Sequence, residues 1–261
     1  MYAFDYHRPQ SLADAVSTLA SGSGRVLAGG QTLIPAMKLR LAQADDLVDL
    51  GAIADLRGIT RHGDGLRIGA MTTHATVAGS EAVAQALPGL AALAGGIGDP
   101  HVRHRGTIGG SVANNDPAAD YPAGVLALGA TVHTDRRAIA ADDFFTGLFS
   151  TALEEGEIIT HFDVPVVERF TYVKFANPAS RFALVGIGVA KGSSGVRVAV
   201  TGAGASGVYR LPDAEAALMA NFSAAALDGV KIDASNLLSD IHAGADYRAH
   251  LIGVMLRRAV G

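Results

Sequence analysis

Residues 98–132 read GDPHVRHRGTIGGSVANNDPAADYPAGVLALGATV, and the double glycine near the start of this stretch carries most of its meaning. Thr107-Ile108-Gly109-Gly110-Ser111 sets a hydroxyl on either side of two glycines, and the amides of Asn114 and Asn115 follow. Two glycines let the backbone approach a phosphate with no Cβ between them, and the flanking hydroxyls can donate hydrogen bonds. The same logic appears upstream at Ala28-Gly29-Gly30-Gln31-Thr32, between residues 25–28, read as strand, and residues 33–41, read as helix. A helix start adds unpaired N–H groups and a partial positive charge, which favour an anion by about 0.3–2 kcal/mol. Either motif alone is more often an ordinary glycine-rich turn. The pair together suits the two phosphates of a dinucleotide. Asp120 is either an acceptor for a ribose hydroxyl or a solvated loop acid.

Outward from these loops the pattern alternates between helix and strand. Leu12, Ala15, Val16 and Leu19 mark one face of a helix, with Ser11 and Asp14 as its capping pair and Gly22 and Gly24 as its end. With a strand at 47–50 the opening reads as a β-α-β unit. A strand at 66–70 leads to Thr72-Thr73-His74, a helix through Val83 and an Ala/Leu-rich segment at 90–94. Residues 95–122 read as a long irregular loop, of the kind that often carries function, and 125–132 as a strand. Residues 144–153 read as helix or turn, and 158–164 as a strand closed by Pro165. Beyond a boundary near 165–170, strands at 172–175, 183–191 and 196–201 precede helices at 213–220, 223–229, 234–240 and 246–259.

The expected class is α+β, with a first domain over 1–167, built of two α/β subdomains (about 1–57 and 58–167), and a second over 168–261. Its second domain is expected to hold a three-stranded sheet plus helices. A length of 261 residues accommodates two domains, and 49% hydrophobic with 18% charged residues suits a globular core.

A net charge of −4 offers no electrostatic case for nucleic acid. No apolar run reaches the roughly 18 residues of a membrane helix, and the opening MYAFDYHRPQ is unlike a signal peptide, so the cytoplasm is expected. The chain has no cysteine. That excludes disulfides, thiolate catalysis, an iron–sulfur cluster ligated by this chain's own thiolates and a cysteinyl flavin link. Redox chemistry here requires a bound organic cofactor.

Four segments carry a specific resemblance: LAGGQTLIPAMKLRLAQADDLVDL (27–50), the stretch 98–132, YVKFANPASRFALVGIGVA (172–190) and IHAGADYRAHLIGVMLRRAV (241–260). They resemble the FAD subunits of molybdenum hydroxylases, the carbon monoxide dehydrogenase and xanthine dehydrogenase family. The resemblance implies a vanillyl-alcohol oxidase-type (PCMH-type) FAD domain followed by an α+β domain, with FAD held non-covalently. It also implies that Ala28, Gly29, Gly30, Gln31 and Thr32 form one pyrophosphate loop, and Thr107, Ile108, Gly109, Gly110 and Ser111 the other. Asp120 matches an acidic contact to the ribose region, Ile159 a strand near adenine or flavin, Lys174 a lysine near the isoalloxazine, and Ile97 a residue lining the flavin pocket. Gln31-Thr32 stands where the family often has His-Ser, and Ser111 where it often has Asn. Both changes keep hydrogen-bonding capacity.

The function so implied is electron transfer: an oxidoreductase subunit that takes electrons from a partner chain with two 2Fe–2S clusters and passes them to an outside acceptor. A molybdopterin-containing large subunit would complete a heterotrimer, commonly doubled. The alternatives are a free-standing flavin oxidoreductase of the same fold and a cofactor-less interaction subunit. Three other motifs read as structural. Gly202–Gly207 matches GxGxxG but opens no helix, so it reads as a turn leaving a sheet; His101 and His104 read as polar loop residues; and Tyr172 reads as sheet packing.

Overall fold

The computed structural model describes residues 1–20, 22 and 24–261. The opening unit is β1 (Asp5–His7), α1 (Leu12–Leu19), β2 (Gly24–Leu27), α2 (Leu33–Lys38) and β3 (Asp46–Asp49). Its strands pair in parallel in the order β1-β3-β2. Ser11 caps α1 by accepting from the Asp14 amide at 3.1 Å, as its spacing from Asp14 suggests. Helix α2 stops at Lys38, three residues short of the expected end, and Arg40 then adopts φ +60°.

Two 3-10 turns lead into β4 (Ile59–His62) and β5 (Gly65–Gly69). Six helices follow: α3 (His74–Ala78), α4 (Glu81–Ala86), α5 (Pro88–Gly95), α6 (Pro100–Arg105), α7 (Ile108–Asn114) and α8 (Asp120–Leu128). The chain then returns through β6 (Thr131–Thr134), β7 (Ala138–Ala140), α9 (Ala141–Phe144), the small hairpin β8 (Phe145–Gly147) and β9 (Ser150–Thr151), and β10 (Ile159–Pro165). The resulting five-stranded antiparallel sheet has the order β4-β5-β10-β6-β7.

This region corrects two expectations. Residues 95–122 are not an irregular loop but three short helices and their joints. The residues that look loop-like are their caps: Asp99 accepts from the Val102 amide, Thr107 from the Gly110 amide, and Asn115 closes α7 in the left-handed conformation at φ +43°. Residues 125–128 are helix, and strand begins only at Thr131. All nine residues of α8 are buried, so beyond Asp120 its sequence is apolar on every side and shows no helical stripe.

The C-terminal sheet has four strands rather than three: β11 (Arg169–Ala176), β12 (Ala183–Gly192), β13 (Gly195–Thr201) and the two-residue β14 (Tyr209–Arg210). Helices α10 (Pro212–Ala220) and α11 (Ala245–Val260) cover one face, burying Val185, Ile187, Val189, Val198 and Val200 against Leu218, Ile252 and Leu256. Residues 224–229 form a 3-10 turn. Residues 234–240 are not helical; Leu237 instead bridges Gly204. Gly202–Gly207 is a turn leaving β13, with φ above +80° at both end glycines. The other face of the sheet lies on α5 and α8, where Phe170, Ala190 and Ala199 join the core cluster of Leu90, Leu93, Tyr121 and Phe162.

Candidate functional site

A cavity of about 800 Å³ opens between the N-terminal unit and the helices α3, α6 and α7. Of the residues singled out from sequence, Ala28, Gly29, Gly30, Gln31, Thr32, Ile97, Thr107, Gly109, Gly110, Ser111, Asp120 and Ile159 line it. Ile108 does not. Its side chain is fully buried in the core, because α7 turns that face inward. Lys174 also lies outside the wall, and acts through Asp120 instead.

The two glycine loops face one another across a short gap, since a Cβ on Gly110 would stand 3.2 Å from the Ala28 Cβ. In the first loop Gly30 takes φ +73°, a conformation that turns the chain from β2 into α2 and that suits glycine. Among the described residues, the amides of Gly29, Gly30, Gln31, Thr32 and Leu33 make no hydrogen bond with the chain. None of these five residues is buried, and a helix start ordinarily leaves its first amides unpaired, so the run is a set of donors free to meet an anion in the cavity beside it.

The second loop is built differently. The Ile108 amide donates to the Thr72 carbonyl at 3.1 Å, Gly109 to Ala70 at 2.8 Å, Gly110 to the Thr107 hydroxyl at 3.1 Å, and Ser111 to Thr107 at 3.0 Å. Gly109 is glycine because a Cβ would stand 2.6 Å from the Ala70 side chain and 2.7 Å from its carbonyl oxygen. The expected open helix start is therefore closed here. This loop and helix line the cavity with Thr107, Gly109, Gly110, Ser111, Ala113 and Asn114, of which Thr107, Ser111 and Asn114 carry polar side chains.

Asp120 is buried, and its carboxylate accepts from the Tyr172 hydroxyl and, at 2.9 Å, from Lys174 Nζ. Burial pushes its pKa above the usual carboxylate range, and the Lys174 ammonium offsets part of that. The Tyr172 hydroxyl, pushed well up by burial and by the Asp120 charge, stays protonated as the donor. Tyr172 thus packs in the sheet with its hydroxyl on the acid.

Asn114, whose amide the sequence sets just after the second glycine pair, lines the wall, while Asn115 instead donates to the Gly147 and Ser150 carbonyls. Other wall residues escaped the sequence reading, among them His74, Asp116, Glu157 and Phe182; for Asp116 the available signal was its place just beyond the same glycine pair. His74 had no such signal. Its amide donates to the Gly106 carbonyl at 3.0 Å, and burial first, then the Arg103 charge, lowers its imidazole to about 4. Glu157 is lowered to about 2, chiefly by its hydrogen bonds from Arg137 at 2.9 and 3.0 Å. His101 and His104 lie on α6, and both side chains are exposed or only surface-bonded.

A glycine-rich helix start with amides free of the chain, beside a cavity of this size, suits a phosphate-bearing cofactor. Residues 2–167 match the sequence model of the family described as the FAD binding domain in molybdopterin dehydrogenase, and the chain belongs to that family. It is 38% identical, over 99% of its length and 96% of the relative's, to the nicotine 6-hydroxylase medium subunit of Paenarthrobacter nicotinovorans. It is equally 38% identical, over the same shares, to the carbon monoxide dehydrogenase medium chain of Afipia carboxidovorans. Among solved structures, reconstituted CO dehydrogenase from Oligotropha carboxidovorans superposes with a TM-score of 0.93 at 37% identity, covering 99% of this chain and 96% of that one. The chain is an FAD-binding oxidoreductase subunit.

The residues present fit that cofactor. Five open amides suit a pyrophosphate, the Ser111 and Asn114 side chains add polar groups opposite, and Ile97, Leu153, Ile159 and Phe182 supply apolar wall.

Proposed function

We propose that this chain is the electron-transfer subunit of a heteromeric molybdenum hydroxylase, with molybdenum and iron–sulfur centres on partner chains. The observation that carries the reading is the first glycine loop, whose residues line the cavity and whose five amides make no bond with the chain. The names of the relatives, a medium subunit and a medium chain, support the heteromeric part. We assign residues 1–167 to a vanillyl-alcohol oxidase-type FAD domain in two subdomains, about 1–57 and 58–167, and 168–261 to the C-terminal domain.

Residues 28–32 would hold the pyrophosphate by main-chain donation, with Thr32 and Ser111 as hydroxyl donors. Ile97, Ile159 and Phe182 would exclude water from the cofactor's rings. Lys174 holds Asp120 in place and offsets its charge beside the cavity, so the acid is a fixed acceptor there. When bound, FAD supplies redox chemistry in steps of one or two electrons, which is what joins iron–sulfur clusters to an outside acceptor. No side chain has to act as an acid or base. The chain's work is binding, orientation and electrostatic tuning.

An absorption spectrum of the purified chain, before and after adding FAD, tests this. A flavin band is expected, with free FAD fluorescence after denaturation, and the band should vanish in a Gly30→Val, Gly110→Val double variant. Absence of flavin in the chain alone and with co-expressed partner subunits would overturn the reading in favour of an interaction subunit.

A further inference from the structure

The five-stranded sheet has a second face that the cofactor cavity does not use. Alternation along its strands sends Leu66, Ile68, Val132, Phe162 and Val164 into the core. It leaves Arg67, His133, His161 and Asp163 half-buried on the other side, and none of these four lines the large cavity. His161 and His133 are register partners across β10 and β6, and Asp163 pairs with Arg67 across β10 and β5. The two imidazoles stack, with centroids 4.3 Å apart and planes within 9°. One ligand atom from each of His133, His161 and Asp163 lies within 4.8 Å of the other two.

The hydrogen bonds determine which imidazole nitrogen is free. The Thr160 hydroxyl donates to the His133 carbonyl at 3.2 Å, and a carbonyl can only accept. The same oxygen, 2.9 Å from His161 Nδ1, must then accept from an Nδ1–H. His161 Nε2 therefore presents a bare lone pair, and it is buried without a hydrogen-bond partner. Beside it, His133 Nε2 stands 2.9 Å from Asp163 Oδ2.

We propose that His133, His161 and Asp163 form a site for one divalent d-block cation of the Zn²⁺ type. Two imidazoles and a carboxylate are a donor set for such an ion, whereas Ca²⁺ and Mg²⁺ call for several oxygens. An Nδ1–H held by an oxygen is the outer contact that orients metal-binding histidines, and Thr160 supplies it. On binding, the Nε2 proton that His133 shares with Asp163 gives way to the cation and Nδ1 carries the ring's one remaining proton, so His133 binds as a neutral imidazole. The stacked rings have nearly parallel lone pairs, so capture tilts them out of the stack; His133, a quarter exposed, has room to turn. Arg67 grips both Asp163 oxygens at 2.8 and 2.9 Å and opposes the cation by its charge. His62 accepts from Arg67 at 3.0 Å and stays outside the set.

The test uses the full chain with FAD, stripped of metal by a chelator and dialysed, then titrated with Co²⁺ by visible absorption and with Zn²⁺ by calorimetry. One equivalent should bind. A His133→Asn, His161→Asn double variant should bind at least tenfold more weakly with its flavin content unchanged, and Arg67→Gln should bind several-fold more tightly. No binding by the parent chain would overturn the proposal, and so would affinity indifferent to both variants, which would place the ion on other histidines. Circular dichroism of each variant, matched to the parent, secures the comparison against misfolding.

Discussion

Residues 28–32 and 107–111 each set a double glycine at a helix start, yet the two loops use their main chain in opposite ways. The first leaves five amides unbonded to the chain beside the cavity and needs Gly30 for a positive φ. Its Gly29 packs on the end of α6, where a Cβ would collide with the Arg105 carbonyl oxygen. The second closes all of its first-turn amides on Ala70, Thr72 and Thr107, and needs Gly109 so that α7 can lie against the end of β5. One loop is a donor surface and the other is the buttress behind it. The lesson is that a glycine pair states only that something comes close; whether that is ligand or chain depends on where the amides point.

The largest effect should come from the buttress. Gly109→Ala forces a Cβ into the Ala70 backbone, where neither partner can yield cheaply, and should cost about 3 kcal/mol of stability even without FAD. Thermal melts of the FAD-free protein measure this; a variant that melts normally and loses only FAD would erase the distinction between the loops. Acid should weaken the same region. His74, packed behind Gly106, has its folded pKa lowered to about 4, so below an unfolded value near 6.5 the unfolded chain takes a proton that the folded chain refuses. Stability should fall by up to about 1.4 kcal/mol per pH unit between those values and then level off. Denaturant melts from pH 7 to 4 should show this slope, and His74→Gln should flatten it.

Smaller effects belong to the donor loop and its opposite wall. Gly30→Ala keeps the fold but strains the positive φ and tilts the amides, and FAD should bind about tenfold more weakly, about 1.4 kcal/mol. Ser111→Ala removes one hydroxyl and should weaken FAD about fivefold, with melting unchanged. Fluorescence titration separates the two. Should Ser111→Ala prove the more damaging, the second loop would carry the phosphate and the roles would reverse.

Much of the cavity wall was legible in the sequence because its signals are local: glycine pairs, hydroxyls beside them, and a resemblance that set Ile97, Asp120 and Ile159 among them. What escaped was non-local. Helix α8 is buried on every side, so its apolar run carried no period to separate it from a strand. Helices α6 and α7 are so short that Asp99, Pro100, Thr107 and Asn115, all at or beside their ends, outweigh their interiors in composition. The absence of residues 234–240 from the helices follows from Leu237 bridging Gly204, a contact that no window of sequence contains. His74 and Phe182 come to the cavity from distant segments by the fold alone.

The C-terminal sheet, pressed on one side by α10 and α11 and on the other by α5 and α8, bears on how this protein can be handled as a part. The segment that matches the family ends at residue 167, just where a gene would be cut to borrow a flavin module. A cut there would strip Phe170, Ala190 and Ala199 from Leu90, Leu93 and Tyr121, and leave α8 facing water with an unbroken apolar flank. Such a fragment would be sticky and poorly folded. The portion of the chain most easily recognised is not a portion that can be lifted out, and a graft intended to carry its flavin should carry β11 to β13 as well.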